Sequence, residues 1–272
     1  MLHDFSYRAP AQKAELHGFL SEHRDSAAVF AGGTDLFVNI RGGVGTPEYV
    51  VDLKGVAELS ELRFDPAEGL SIGACVNVTQ LLADAVVQQK YELLVRAGSE
   101  LATHQLRNRA TVVGNVVTAS PCGDMTSPLL CYAAEVEISS AAGSRRLPLR
   151  EFITGVKQTL IRPDEIVERI VVPATYAGGR GNYLKLKRIK GHDLGVVAVA
   201  MLIHKNTVRF AISSAAPTPV LLPDFPLGVA AGTVKEAARA AISPIDDVRC
   251  TREYREFMVE EFIDRLLAEV QK

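Results

Sequence analysis

Ala27-Ala28-Val29-Phe30-Ala31-Gly32-Gly33-Thr34-Asp35-Leu36 is the stretch on which the fold turns. It reads as a short apolar strand that runs into two glycines and leaves as a helix over Leu36 to Ile40. Glycine lets the backbone turn sharply and lets a ligand approach the amides. The free N–H groups where a helix starts form an anion site, and Thr34 adds a hydroxyl donor. A pyrophosphate fits such a turn. The bland reading is a tight turn before a helix capped by Thr34 or Asp35. The stretch satisfies neither G-x-G-x-x-G nor G-x-x-x-x-G-K-[ST], which disfavours those two phosphate-binding folds.

Upstream, Pro10 opens a helix with Leu16, Phe19, Leu20 and His23 on one stripe. Downstream, Gly42 and Gly43 stop the second helix, and Tyr49 to Leu53 is the next strand. A change of texture begins at Gly55. Leu62 to Phe64 and Leu70 to Ala74 read as strands paired around the turn Asp65 to Gly69. Helices are expected over about 79–89, 92–103 and 126–134, with strands over about 136–140 and 166–172. Tyr176-Ala177-Gly178-Gly179-Arg180-Gly181 marks a boundary. Beyond it, strands are expected at about 182–189, 194–204 and 207–214, then helices near 233–242 and 252–270. Tyr254, Met258, Phe262, Leu266 and Val270 form an i, i+4 row on the last helix, widened by Val259 and Ile263. This C-terminal part reads as an antiparallel sheet covered by helices on one face. The expected division is 1–55, 56–175 and 176–272, in a mixed α+β / α/β class.

Composition removes several function classes. Lys and Arg total 30 against 32 Asp and Glu, so the chain lacks the basic excess of a general nucleic-acid binder. Trp is absent and aromatics are sparse, which argues against a stacking platform for single strands. The uncharged runs of the chain, that between Arg109 and Asp124 among them, are too short to span a membrane. Met1-Leu2-His3-Asp4-Phe5 shows no basic region leading into an apolar stretch, which predicts a cytoplasmic protein. Cys75, Cys122, Cys131 and Cys250 form no C-x-x-C pair, so neither a disulfide scaffold nor a resident iron–sulfur cluster is expected.

Two further stretches carry chemistry. Arg107 to Asp124 is rich in small residues, hydroxyls and amides yet nearly uncharged after Arg109. A buried loop needs partners for its backbone groups; a long polar cofactor supplies them, or the loop satisfies itself. Tyr183-Leu184-Lys185-Leu186-Lys187-Arg188 reads as a strand with Lys185 and Lys187 on one side, a source of positive charge or simply a solvated face. His192-Asp193 reads as a hydrogen-bonded pair rather than an acid/base couple. H-E-x-x-H and G-x-S-x-G are missing, and six scattered histidines make no metal site.

Taken together and in order, Ala31-Gly32-Gly33-Thr34-Asp35, Arg107-Asn108-x-Ala110-Thr111-x-x-Gly114-Asn115, Ala119-Ser120-Pro121-x-Gly123-Asp124 and Tyr183-x-Lys185-x-x-Arg188 with Asp193 downstream resemble the FAD-binding medium subunit of molybdenum hydroxylases, the xanthine dehydrogenase and aerobic carbon monoxide dehydrogenase type. The resemblance spans essentially the whole chain. It implies a vanillyl-alcohol-oxidase (PCMH)-type FAD-binding domain of two subdomains, followed by a C-terminal domain like that of the carbon monoxide dehydrogenase flavoprotein. It implies that Val29, Phe30, Ala31, Gly32, Gly33, Thr34 and Asp35 wrap the FAD pyrophosphate. It implies that Thr111, Val113, Gly114, Asn115, Ser120 and Asp124 contact phosphates, ribityl chain and adenosine side, that Lys185 lies near the flavin, and that Ile166 gives a backbone contact at the adenine end. No catalytic side chain and no metal ligand is implied in this chain.

The same resemblance implies electron transfer. A large subunit would carry the molybdenum cofactor and a small one two [2Fe–2S] clusters, in a dimer of heterotrimers that passes electrons through FAD to an outside acceptor. Val113 stands where relatives carry glycine; its Cβ would crowd a phosphate or oppose a positive φ. Leu194 stands where some relatives place an aromatic ring. Two other readings are a stand-alone flavin oxidase or dehydrogenase of the same fold, and a flavin-free assembly subunit.

Overall fold

The computed structural model describes residues 3–191 and 193–270. Among the described residues, three larger sheets, built in chain order, and one two-stranded sheet carry the molecule. In the first, β1 (Ser6–Arg8) and β2 (Ala27–Phe30) both run parallel to a central β3 (Tyr49–Asp52). Val50 and Val51 are fully buried there. Helix α1 (Lys13–Glu22) packs Leu16 and Leu20 into the core, and α2 (Leu36–Arg41) packs Ile40. The sequence reading missed β1, because Ser-Tyr-Arg is exposed throughout and carries no apolar pattern.

The second sheet is antiparallel and five-stranded, in the order β4 (Leu62–Asp65), β5 (Gly69–Gly73), β10 (Ile166–Pro173), β6 (Glu135–Ser140), β7 (Gly143–Pro148). β4 (Leu62–Asp65) and β5 (Gly69–Gly73) form the expected hairpin. The helix expected over 79–89 is two helices, α3 (Val78–Ala83) and α4 (Ala85–Lys90). Asp84 between them is extended and caps α4, accepting the Val87 N–H at 2.9 Å. Helices α5 (Glu92–Glu100), α6 (His104–Arg107), α7 (Val112–Val117) and α8 (Thr126–Cys131) follow. β6 (Glu135–Ser140) turns into β7 (Gly143–Pro148), an edge strand rich in charge. A short helix α9 (Leu149–Phe152) and a small hairpin, β8 (Ile153–Gly155) with β9 (Gln158–Thr159), lead to β10 (Ile166–Pro173), the central strand.

The third sheet is a meander of β11 (Arg180–Leu186), β12 (Val197–His204) and β13 (Thr207–Ser213), edged by β14 (Val220–Leu221) and β15 (Phe225–Pro226). Helices α10 (Ala231–Ala241) and α11 (Arg252–Val270) close the chain. The expectation of helices on one face is corrected, because both faces are covered. Val197, Val199, Met201, Phe210 and Ile212 share a core with Val234, Val259 and Ile263 of α10 and α11. Ala198, Ala200, Leu202 and Ala211 point the other way and join the main core with α5 and α8. Strand alternation with small residues on one side lets those helices lie close.

Among the described residues, no helix is long and apolar enough to cross a membrane. His192 lies outside the described residues. Asp193 is described and forms a fork with Arg188, with N···O distances of 2.9 and 3.3 Å.

Candidate functional site

β2 ends at Phe30, and residues 31–35 carry the chain into α2. Gly33 has φ +74°, and a Cβ on it would lie 2.4 Å from a carbon of the Phe30 ring. A Cβ on Gly32 would meet the Arg109 carbonyl oxygen at 2.2 Å. The turn therefore rests directly on the backbone of residues 109–110. Asp35 takes the N-cap position, but its side chain accepts no bond from the first turn. The bland reading of a capped helix is thus not realised at Asp35. Among the described residues, the N–H groups of Gly32, Gly33, Thr34 and Asp35 donate to no protein acceptor.

The facing wall is α7. Thr111 caps it, with Oγ1 accepting the Gly114 N–H at 2.9 Å. The stretch read as a buried loop therefore contains a helical turn and a half. Val113 is not among the residues of positive φ, so the conformational objection to a Cβ there disappears. Its side chain packs into the main core, and its N–H, like those of the glycine turn, finds no protein acceptor among the described residues. Asn115 turns its Oδ1 to the Met125 N–H at 3.0 Å, tying the helix to the segment that carries Asp124.

Between these walls lies a cleft of about 830 Å³, open mouth included. It brings together Val29, Ala31 through Asp35, Thr111, Val113, Gly114, Asn115 and Ile166. Among the described residues, no Lys or Arg lines it, and its charged residues are Asp35 and Glu165. Glu165 is held by an Arg145 fork at 3.1 and 2.8 Å and accepts the Arg162 N–H at 2.8 Å. The hydrogen-bonded Arg145 guanidinium holds its carboxyl below the usual carboxylate range. At this end β5 stops opposite Arg169, and the Ala74 N–H bonds the Glu168 carbonyl. Ile166 and Val167 therefore have a strand partner only on the β6 side, and their other edge opens on the cleft.

Phe30, Ser120, Asp124 and Lys185 do not line the cleft. The Phe30 ring supports the turn from behind. Ser120 Oγ accepts the Cys122 N–H at 3.3 Å. Lys185, on β11, has a side chain only 1% exposed and pairs with Asp124 at 2.8 Å. The Tyr183 hydroxyl donates to the same carboxylate at 2.8 Å, and the ammonium also reaches the Glu100 carbonyl at 3.3 Å. Burial pushes the Asp124 carboxyl up, against the pull of Lys185 and Tyr183. Here Lys185 spends its charge on Asp124 rather than on the cleft. Sequence reasoning gave Tyr183 and Glu165 no role. Tyr183 was findable, since it lies two residues from Lys185 and so on the same strand face; Glu165 had no such signal.

Unsatisfied backbone donors along a groove without cationic side chains suit a polyanion held by main-chain amides. Apolar walls and an open strand edge suit rings at its ends. Those features fit a dinucleotide such as FAD.

Residues 3–175 match the protein family described as the FAD binding domain in molybdopterin dehydrogenase. The chain is 29% identical over 276 residues to the carbon monoxide dehydrogenase medium chain of Hydrogenophaga pseudoflava, covering 97% of this chain and 96% of that one. It is 27% identical over 278 residues to the xanthine dehydrogenase FAD-binding subunit of Escherichia coli O157:H7, covering 97% and 95%. A solved structure of the Hydrogenophaga pseudoflava carbon monoxide dehydrogenase, lacking the Mo-pyranopterin moiety of its molybdenum cofactor, matches with a TM-score of 0.91 at 27% identity. That match covers 98% of this chain and 97% of the other.

Proposed function

The chain belongs to the family of FAD-binding domains in molybdopterin dehydrogenases, and from that premise we propose that it is the electron-transfer flavoprotein subunit of a molybdenum hydroxylase complex. The observation that carries this reading is the row of N–H groups at Gly32 to Asp35 and Val113, which donate to no acceptor among the described residues and belong to residues lining a cleft that no described Lys or Arg lines. Those amides would hold the pyrophosphate of FAD. Thr111, Gly114 and Asn115 would line its sugar and ribityl path, and the free edge at Ile166 would meet the adenine. Ser120, Asp124 and Lys185 belong to the flavin side by resemblance, with Lys185 orienting Asp124. Bound there, FAD supplies one- and two-electron chemistry between a partner's iron–sulfur clusters and an outside acceptor.

In this reading the segments 1–55, 56–175 and 176–272 are two FAD-binding subdomains and a covering domain. Two observations support the assignment: the fold matches a solved carbon monoxide dehydrogenase chain over 98% of this chain, and the match to the FAD-binding domain family ends at residue 175. The partners are a large molybdenum-cofactor subunit and a small [2Fe–2S] subunit, assembled as a dimer of heterotrimers in the cytoplasm. The test is the visible spectrum of the purified chain, expressed alone and with its genomic neighbours. Flavin bands released as FAD on denaturation, with iron–sulfur absorption only in the co-expressed sample, support the proposal. A colourless chain that takes up no added FAD in either state sinks it and leaves a flavin-free assembly role.

A further inference from the structure

Lys54 follows β3 and stands outside the cleft lining, behind the glycine turn. Its ammonium donates to the Ala31 carbonyl at 3.1 Å and to Asp52 Oδ1 at 2.7 Å, and sits 3.6 Å from the centroid of the Phe30 ring. That ring is the surface against which Gly33 packs. One side chain thus grips the turn twice, at the Ala31 backbone and at the ring beside Gly33. The grip is itself anchored. Asp52 is 5% exposed and accepts the Tyr7 hydroxyl at 2.5 Å and the Lys54 N–H at 2.9 Å.

The peptide between Ala31 and Gly32 transmits the effect. A trans peptide is planar, so its C=O and N–H point in opposite directions. Fixing the Ala31 carbonyl on Lys54 turns the Gly32 N–H away from Lys54, and Gly32 lines the cleft with that N–H unclaimed. A cation on the carbonyl also polarises the peptide and strengthens the N–H as a donor.

We infer that Lys54 is a positioning residue for phosphate recognition: it orients and polarises the Ala31–Gly32 peptide toward the pyrophosphate of a dinucleotide. The inference rests on the FAD reading above. It ties Lys54 to the phosphates alone, so the flavin ring and adenine are indifferent to it.

The test uses the full chain stripped of flavin, as wild type, Lys54→Met and Lys54→Arg. Each is titrated with FAD, ADP and riboflavin at low and high salt, with thermal melts in parallel. A charge-assisted hydrogen bond lost at the turn should weaken FAD and ADP in Lys54→Met by about tenfold. Riboflavin affinity should stay at the wild-type value. Lys54→Arg should recover most of the loss, and the wild-type advantage should shrink as salt rises. The lysine side chain is 39% exposed, so the methionine should fold, and its melting curve checks this. Lys54→Met binding FAD and ADP as wild type does, or losing riboflavin equally, overturns the role of Lys54 and leaves the FAD reading intact. A wild type that binds neither FAD nor ADP overturns both.

Discussion

Gly32 has no room for a methyl group. The atom that an added Cβ would strike is a main-chain oxygen, Arg109 O at 2.2 Å, and no rotamer change relieves that clash. Gly32→Ala should push the turn off residues 109–110, at a stability cost of about 2 kcal/mol. It should also strip the purified chain of flavin. Denaturant unfolding and flavin content check both, and an alanine variant that keeps its flavin would show that the turn can move. The opposite sign is expected at Ala133. This residue has φ +52° and closes a Schellman motif on α8, with Ala133 N–H to Leu130 O at 3.0 Å and Ala134 N–H to Leu129 O at 3.0 Å. It is exposed and remote from the cleft lining. Ala133→Gly removes the Cβ penalty of the left-handed region and should raise stability by about 1 kcal/mol, with flavin binding unchanged. A melting temperature at or under that of wild type would refute it.

At the scale of elements, what could be read depended on who decides the structure, the segment or its neighbours. The strand before the glycine turn and the helix after it were legible, because apolar runs and glycines specify them locally. Helix α7 was not. Thr-Val-Val-Gly-Asn-Val-Val is dominated by β-branched residues of low helix propensity. It is helical because Thr111 caps it and Val112, Val113 and Val116 are drawn into the core. The low charge that suggested a ligand is in part the mark of that burial. β7 was hidden for the converse reason: an edge strand can be charged and still pair fully. On α1, His17 is a buried group whose helix position gave no warning. Its Nε2 lies 3.2 Å from Ser139 Oγ, and its Nδ1 has no partner among the described residues. Burial lowers its pKa, Glu168 pulls it back up, and Lys13 lowers it further. The folded chain therefore resists protonation more than the unfolded one. Below about pH 6.5 the unfolded chain binds more protons, so stability is full above that pH and falls as pH drops toward the folded value. Thermal melts between about pH 8 and pH 5 should fall more steeply for wild type than for His17→Gln. Parallel curves would remove His17 from the account.

For the whole molecule, the cleft belongs to the first two sheets, and the third sheet is fastened to them by its inner face and one buried ion pair. The double coverage of that sheet is faintly written in β12, whose Val-Ala-Val-Ala-Met-Leu is apolar on both faces. Such a strand announces two buried faces, but it does not say which helices bury them; only the chain's return over α5 and α8 decides it. The ion pair sits at this seam. Asp124 is held by Lys185 and Tyr183 of β11, and its neighbour Met125 is held by Asn115 of the cleft wall. Removing one partner of a buried pair leaves an uncompensated charge, which costs about 3 kcal/mol, while removing both charges together costs much less. Lys185→Met should therefore be strongly destabilising in urea unfolding. Adding Asp124→Asn should recover a large part of the loss, because the neutral amide oxygen still accepts the Tyr183 hydroxyl. If the two losses simply add, the carboxylate and the ammonium are not coupled, and this pair does not hold the seam. If the double variant recovers stability and also regains flavin affinity lost in Lys185→Met, the path from β11 through Asp124 and Met125 to Asn115 carries the docking of the third sheet into the cleft.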